Sequence, residues 1–575
     1  MFENGDLILR YLERLGVRCV FGVPGGSIEP FYNALARSQR RGGIRAITAR
    51  HETGAALMAE GYARETGTLG VCCATAGPGA TNLITGVASA YADGIPMLVI
   101  TAQTSLEKFG QGSLQETSCT GINTVEMFAR CTRYNTLVSH SAQLEPKLLQ
   151  AISQSFSNTP GPVHLSIPID VMRLPVPESL DTGNLRAFTN HSVAPSQTCL
   201  QALLKEVAET DRVTVVIGEG AASALSELMA LIEARHWKFV ATPRAKGLVD
   251  HFHPLFRGIF GFAGHESAAE ALKVNQAERV IAVGTGLDEV STAGWDPTAI
   301  LSDRLIHLSP NPEHLTRSNM ARLVILGSPE LMLKPFAEML ANDPQRTPSV
   351  AHIDDDGLPA DVSYDDRGKC DMQPGTIKPQ ALVTHLARSC PAGTRVALDS
   401  GTSFLWGIHY WNVSRPHNLP AAACLVHLGI GFATMGWAIG ASVGIAAANP
   451  EQPVVCVTGD GSYLMAGQEI TTALQENLNL LMIVLNDSSL GMVRHGQSLS
   501  GGESIAHDLP DINYARIAEA MGIESYRVES TEQLLALDLM AIFTRPGPCL
   551  LDIRIDRDEL PPMGSRMKVL TGATP

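Results

Sequence analysis

The chain has 575 residues, 45% of them apolar and 18% charged, with a formal net charge of −15. That length and balance suit three to four well-cored globular domains, and the negative charge excludes a surface built for nucleic acid or an anionic membrane. The eleven cysteines are scattered, with no CxxC and no Cys/His ligand spacing, and Met1-Phe2-Glu3-Asn4-Gly5-Asp6 does not open a secretory leader, so the expected location is cytoplasmic.

Residues 1–180 alternate helical patterns with short apolar runs at 19–23, 44–48, 69–74, 97–101 and 163–167. This βα repeat predicts a parallel, doubly wound sheet. Pro175-Val176-Pro177 opens a linker. Residues 190–340 repeat the style, with strands at 213–217 and 279–283, each followed by a glycine turn, Gly218-Glu219-Gly220 and Gly284-Thr285-Gly286. Residues 341–376, rich in Pro, Asp and Gly and containing Asp354-Asp355-Asp356, read as a linker. A third unit spans 377–560, with strands at 396–399, 454–457, 480–485 and 550–553, and 561–575 form a tail. The fold class is therefore α/β, with three doubly wound parallel-sheet domains.

No Asp, Glu, Lys or Arg stands between Pro416 and Pro450. A membrane helix needs about 20 strongly apolar residues, and Pro420, His427 and several glycines interrupt this stretch. A Gly/Ala-rich helix buried between sheet layers is expected. The first and third units also resemble each other. Residues 71–79 and 454–461 both run from an apolar strand through Thr into a glycine loop that opens a helix, as a duplicated domain would.

The densest signal lies at 459–486. Gly459-Asp460-Gly461-Ser462 follows one strand, and the next strand ends on Asn486. In an open parallel sheet both polar residues fall at carboxyl ends of strands, where ligands bind. A carboxylate and an amide are hard oxygen ligands, suited to Mg²⁺ shared with a diphosphate. Gly459 and Gly461 let backbone amides approach phosphate. Gly-Asp-Gly, a spacer and Asn match the thiamine diphosphate fingerprint. Relatives often have Asn-Asn where this chain has Asn486-Asp487. By the same resemblance the third metal ligand is a backbone carbonyl, here that of Ser488.

Four N-terminal motifs precede that fingerprint: Phe21-Gly22-Val23-Pro24-Gly25-Gly26, Arg50-His51-Glu52, Met58-Ala59-Glu60-Gly61-Tyr62-Ala63-Arg64 and Ala76-Gly77-Pro78-Gly79-Ala80-Thr81-Asn82. With them nearly the whole chain resembles the acetolactate synthase/pyruvate oxidase group of thiamine diphosphate enzymes. The resemblance implies pyrimidine-binding, central and diphosphate-binding domains. It also implies an active site at the subunit interface of a homodimer or a dimer of dimers, with no nucleic-acid or membrane partner. Glu52 matches the glutamate that activates the cofactor through its aminopyrimidine. Met435 matches the apolar wedge beneath the cofactor, and Ala433 would offer a carbonyl to its amine. Gly26, Thr75 and Asn82 fall on the pyrimidine side. Gly401, Thr402, Ser403 and Ser462 fall on the diphosphate side, with Leu490, Gly491 and Met492 beside them.

The cofactor carries carbanion chemistry, so the expected substrate is a 2-oxo acid such as pyruvate. Leu114-Gln115-Glu116 matches the Phe-Gln-Glu segment of acetolactate synthases, which places Gln115 on the substrate and favours a carboligase. An FAD-dependent pyruvate oxidase, a simple decarboxylase and a non-catalytic paralogue are the alternatives. After Met492 the chain reads Val493-Arg494-His495-Gly496. Acetolactate synthases that prefer 2-oxobutyrate usually carry Trp where Gly496 stands, so the acceptor is a 2-oxo acid or a bulkier ketone, diketone or keto-sugar. His495 is read as an acceptor contact or a loop histidine. FAD is a candidate second cofactor of the central domain, where Gly286-Leu287-Asp288-Glu289-Val290 departs from the family's flavin-contacting segment.

Overall fold

Val213-Thr214-Val215-Val216-Ile217 is buried at each residue. A run without alternation belongs in a parallel sheet covered on both faces. The computed structural model describes residues 2–176, 183–340, 357–416, 419–420 and 422–571; Asp354-Asp355-Asp356 and Pro177 lie outside them. Among these residues three six-stranded sheets follow one another. The first holds β1 (Cys19–Val23), β2 (Arg45–Thr48), β3 (Gly70–Ala74), β4 (Met97–Gln103), β5 (Tyr134–Leu137) and β6 (Pro162–Pro168), ordered β2-β1-β3-β4-β6-β5. The second holds β7 (Val213–Ile217), β8 (Lys238–Ala241), β9 (Phe256–Ile259), β10 (Arg279–Val283), β11 (Leu305–Ser309) and β12 (Leu323–Leu326), ordered β12-β11-β10-β7-β8-β9. The third holds β13 (Arg395–Leu398), β14 (Val426–Leu428), β15 (Val454–Gly459), β16 (Leu480–Asn486), β17 (Glu524–Val528) and β18 (Cys549–Arg554), ordered β14-β13-β15-β16-β18-β17. The paired strands run parallel in all three.

The first and third sheets share one strand order, as the duplicated loops suggest. In that order the winding reverses between β1 and β3 and again between β13 and β15, and ligands bind where it reverses. The helices that bear on these points are α1 (Glu52–Thr66), α2 (Thr402–Tyr410), α3 (Trp437–Ala448), α4 (Asp460–Ala466), α5 (Ile470–Gln475) and α6 (Gly491–Ser500). The uncharged stretch after Pro416 does contain a buried helix, α3, from Trp437 to Ala447. It packs on α1 so closely that a Cβ at Gly444 would overlap the Met58 carbonyl, and one at Gly61 the Ala441 carbonyl. Glycine at both positions is what lets the first and third domains touch along these helices. No helix among the described residues is long and apolar enough to cross a membrane.

Inside the first domain, fully buried His164 on β6 joins Thr101 Oγ1 and Asn135 Oδ1, each at 2.7 Å. Burial pushes its pKa down to about 3. The unfolded chain takes this proton near 6.5, so the stability from a neutral His164 is present above that pH and is lost as pH falls toward 3. The slope is about 1.4 kcal/mol per pH unit. His164→Asn should therefore lose roughly 2 kcal/mol less than the parent between pH 7.5 and pH 5. Parallel urea melts check this, and equal acid losses would show that His164 does not shape the acid limb.

Candidate active site

β15 runs its last residue, Gly459, directly into Asp460, the first residue of α4. Asp460 is buried; its Oδ1 accepts from the Gly461 amide at 2.8 Å and its Oδ2 from the Ser489 amide at 3.3 Å. Burial raises its pKa to about 6. Asp487 is raised to about 7, first by burial and then by the charge of Asp460. Neither carboxylate has an ion-pair partner among the described residues. The Ser462 and Ser489 hydroxyls are buried without hydrogen-bond partners. A Cβ at Gly459 or Gly401 would meet nothing within 4 Å. Uncompensated negative charge, idle hydroxyls and open backbone describe a cradle for a cation and an anion together. No cluster of three or more His, Cys, Asp or Glu among the described residues could hold a metal, so amide, carbonyl, water or ligand oxygens would complete any coordination shell around Asp460.

Asn486 ends β16 fully buried. Its amide donates to Asp552 Oδ1 at 2.8 Å and to the Ile512 carbonyl at 3.2 Å. Its oxygen accepts from Arg554 at 2.7 Å, and the same guanidinium nitrogen donates to Ser488 Oγ at 2.7 Å. A metal at the amide oxygen would share it with Arg554 or displace Arg554 from it. Ser488 holds φ +53°, a left-handed turn unusual for a residue with a side chain. Met435 and Leu490 close over the same turn: a Cβ at Gly461 would lie 3.3 Å from Met435 Cε and 2.5 Å from Leu490 Cδ2. Ala433 also sits at positive φ, +55°. Ser403 donates its hydroxyl to the Asp399 carbonyl at 3.1 Å, which leaves the Gly401-Thr402 end of α2 toward the opening. Gly491 starts α6, with Met492 after it.

Two organising carboxylates have no motif to announce them. Asp399, fully buried at the end of β13, accepts from Thr458 Oγ1 at 2.6 Å and from the amides of Ser400, Gly436 and Ala438 at 2.9, 3.2 and 3.4 Å. It thereby ties both reversal-point loops to the start of α3. Asp552 takes Asn486 and, at 2.9 Å, the Tyr514 amide. The only sequence signal for either is a charged residue in or at the end of an apolar strand.

The second cluster lies at the β1/β3 reversal point. Glu52 begins α1, buried, and its Oε2 accepts from Asn82 Nδ2 at 3.0 Å. A Cβ at Gly79 would lie 3.2 Å from Glu52 Oε1, and one at Gly25 would lie 2.7 Å from Thr75 Cβ. The Thr75 hydroxyl is buried and idle, and a Cβ at Gly26 would point into open space. Gln115, exposed and at φ +59°, leans on the Gly77 turn, where a Cβ would stand 2.8 Å from its own. The structure thus gathers Gly26, Glu52, Thr75, Asn82 and Gln115 on one domain and the Asp460 group on another. No hydrogen bond or ion pair among the described residues joins Glu52 or Gln115 to Asp460 or Asn486. His495 is not in a loop: it is buried on α6, where burial lowers its pKa. Gly496 follows it, and a Cβ there would meet nothing within 4 Å.

In the second sheet the winding reverses between β7 and β10. A cavity of about 600 Å³ opens there, lined by Gly220, Gly284, Gly286, Ser309 and Asn311, with Arg244 and Arg317. Arg244, its side chain 10% exposed, is held by Asp93 and Asp288.

Twin α/β domains, one with a cation-and-diphosphate cradle and one with a buried carboxyl at the matching point, define a thiamine diphosphate enzyme. Comparison with known proteins agrees. Residues 2–124, 200–336 and 399–553 match the N-terminal TPP binding, central and C-terminal TPP binding domain models of thiamine pyrophosphate enzymes. The chain is 32% identical to acetolactate synthase isozyme 2 large subunit of Escherichia coli K12, over 99% of both chains. It is 31% identical to acetolactate synthase of Arthrospira platensis, over 95% of this chain and 93% of that one. The chain belongs to the thiamine pyrophosphate enzymes, in the group of the acetolactate synthase large subunits.

Replacing Asp460 removes the only side-chain carboxylate assigned to the metal. Asp460→Ala should weaken metal-dependent binding of thiamine diphosphate at least 100-fold, about 3 kcal/mol, with the thermal melt of the cofactor-free protein preserved. Calorimetric titration decides it, and parental affinity would remove Asp460 from the site.

Proposed function

We propose that the protein is a thiamine diphosphate- and Mg²⁺-dependent carboligase that decarboxylates a 2-oxo acid, pyruvate foremost, and joins the resulting acyl unit to a carbonyl acceptor. The observation that carries this reading is the pair of clusters at equivalent reversal points, one anionic and unpaired at Asp460, the other built on Glu52. The names of the relatives supply the reaction class. Asp460, Asn486 and the Ser488 carbonyl would hold the metal. Gly401, Thr402, Gly459, Gly461 and Ser462 would cradle the diphosphate. When bound, the cofactor supplies carbanion chemistry. Glu52 holds and relays the proton at the aminopyrimidine ring, fixed in place by Asn82. Met435 and Leu490 form the apolar support over the Gly461 turn, and the Ala433 carbonyl takes the amine. Gln115 would bind the substrate, and the space beside Gly496, on the helix that carries His495, would admit the acceptor.

Two copies of the chain would complete such a site, since no hydrogen bond or ion pair among the described residues joins Glu52 to Asp460 within one. Large apolar side chains left exposed beside both half-sites support a second copy: Leu114 at 87% exposure near Gln115, Phe432 at 52% near Ala433 and Met465 at 59% on α4. Exposed apolar residues mark an interaction surface where they join into a contiguous patch. FAD is assigned to the central cavity, beside the Gly220 and Gly284 turns, which pack on each other so closely that a Cβ at Gly284 would lie 2.4 Å from the Ala221 nitrogen. Arg317 donates to the Gly286 carbonyl at 2.8 Å and has no carboxylate partner among the described residues. A flavin spectrum in the purified protein, or a rise in melting temperature with added FAD, tests this assignment.

Product analysis with pyruvate and a panel of acceptors tests the function, and oxygen uptake without ligated product would favour an oxidase instead. Glu52→Gln should slow hydrogen–deuterium exchange at the cofactor's C2 by at least 100-fold while binding persists. Parental exchange would make Glu52 a helix-start residue only. Gly496→Trp should fill the space beside α6 with an indole of about 150–250 Å². Ligation to bulky ketones should fall at least tenfold while CO₂ release from pyruvate survives. A parallel fall in both activities would show that Gly496 does not gate the acceptor.

A further inference from the structure

Glu469 follows α4 on the turn before α5, in the third domain, and is 1% exposed. Its carboxylate leaves that domain and reaches the first. Oε1 accepts from the His51 amide at 2.9 Å, and both oxygens accept from the Arg50 amide, at 3.2 and 3.0 Å. These are the two backbone amides immediately before Glu52. The Thr472 hydroxyl completes the grip, 3.2 Å from Oε2 and 3.1 Å from the Thr48 carbonyl at the end of β2. Gly54, in the first turn of α1, makes the approach possible, since a Cβ there would overlap the Glu469 carboxylate. The Arg50 side chain docks separately, on Thr471 Oγ1, the Thr471 carbonyl and Gln475.

We propose that Glu469 is a positioning residue for Glu52: it clamps the amides of Arg50 and His51 and so fixes where α1 begins and where the Glu52 carboxyl stands. This rests on the reading of Glu52 as the proton-relaying carboxyl. The clamp acts through backbone, so it sets the height and direction of the first helical residue and not its chemistry. Helix starts fray unless their free amides are satisfied, and His51 caps only the Thr53 amide, at 3.2 Å. Burial raises the proton affinity of Glu469, so its ionised form is kept in the fold at a cost that a neutral glutamine would avoid. A contact needed only to join domains does not require that cost, because the Arg50 side chain already provides one. The placement also makes α4, which starts at Asp460, continuous with the turn that holds Glu52 in the same chain.

Amide hydrogen exchange in the cofactor-free protein reads the clamp without activity. In Glu469→Ala and in Gly54→Ala, exchange at Arg50 and His51 should accelerate at least tenfold, with Glu469→Gln intermediate. In Arg50→Met it should stay near the parent's at His51. Turnover should fall about 10- to 100-fold in Glu469→Ala, the size seen when a supporting partner of a working group is lost. The cofactor concentration for half activity should stay within about threefold, since the diphosphate cradle is untouched. The Glu469→Ala/Gly54→Ala double variant should be no worse than either single one, because both break one contact. Unchanged exchange in Glu469→Ala, or faster exchange with parental turnover, would overturn the proposal. So would an equal fall in turnover in Arg50→Met, which would make both contacts simple domain docking. Should Glu469→Ala not fold, Glu469→Gln and Gly54→Ala carry the same comparison. Glu52→Gln separates the two readings: parental turnover there removes the role of Glu52, whereas amide exchange still reports whether Glu469 holds the segment.

Discussion

The crossing of α1 and α3 is the contact on which the rest of the molecule depends. These helices carry almost no charge on their shared face, and Gly61 and Gly444 bring their backbones together. Each helix follows the edge strand beside its own domain's reversal point, β2 for α1 and β14 for α3, so their depth of contact bears on where both functional loops stand. The crossing is locked at one edge by charge. Arg64 on α1 reaches Glu60 and Asp93, each at 2.7 Å, and lies over the Trp437 ring at 5.2 Å. Asp93 also takes Arg244 of the central domain at 3.3 Å and the Gly431 amide at 2.9 Å. One carboxylate thus meets all three domains and touches the segment that carries Ala433 and Met435. Removing one partner from such a buried network typically costs about 3–5 kcal/mol, because a charge is stranded.

At the third sheet the electrostatics run the other way. Asp399, Asp460 and Asp487 are all buried with raised pKa values, so near neutral pH their ionised forms oppose folding. Asp399 offsets part of that with hydrogen bonds from four groups, Thr458 in β15, Ser400, Gly436 and Ala438. Asp460 accepts from backbone amides only, and a cation would relieve the strain that it shares with Asp487. A site that is unfavourable when empty and favourable when loaded is ordinary for a binding centre. Here it separates two kinds of buried acid that look alike in the sequence: one that organises the loops and one that waits for a ligand.

That difference explains which features could be read in advance. Strands made almost wholly of apolar residues, such as Cys19–Val23, Val213–Ile217 and Arg279–Val283, were legible to the residue, because a doubly covered strand has no alternative environment. The edge strands Tyr134–Leu137 and Glu524–Val528 were not: half-exposed, mixed in character, they exist because a neighbour offers a ladder. The places of Gly459–Gly461 and Asn486 at strand ends were legible because their spacing is set by one βαβ unit. Asp399 meets Thr458 across the β13/β15 boundary, and Glu469 meets Arg50 across two domains. Neither contact leaves a local pattern, since what defines each residue is a partner far away in the chain. His495 shows the reverse error, for glycine at 491 and 496 suggests a loop although α6 runs through both.

The separation of Glu52 from Asp460 follows from the same geometry. The crossing of α1 on α3 brings the two domains of one chain together along their helices and not along their reversal points. Within one chain no hydrogen bond or ion pair among the described residues joins Glu52 or Gln115 to the Asp460 cradle, and exposed apolar residues stand beside each half-site. In a single copy Glu52 and Asp460 are buried, but Gln115 and the apolar residues beside both half-sites remain exposed to water, from which a proton relay and a carbanion must be kept. A second copy in which Glu52 of one chain meets the cradle of the other would cover Phe432, Met465 and Leu114 and exclude that water in the same step. On this reading the burial that drives association and the dryness that the chemistry requires are one free-energy term.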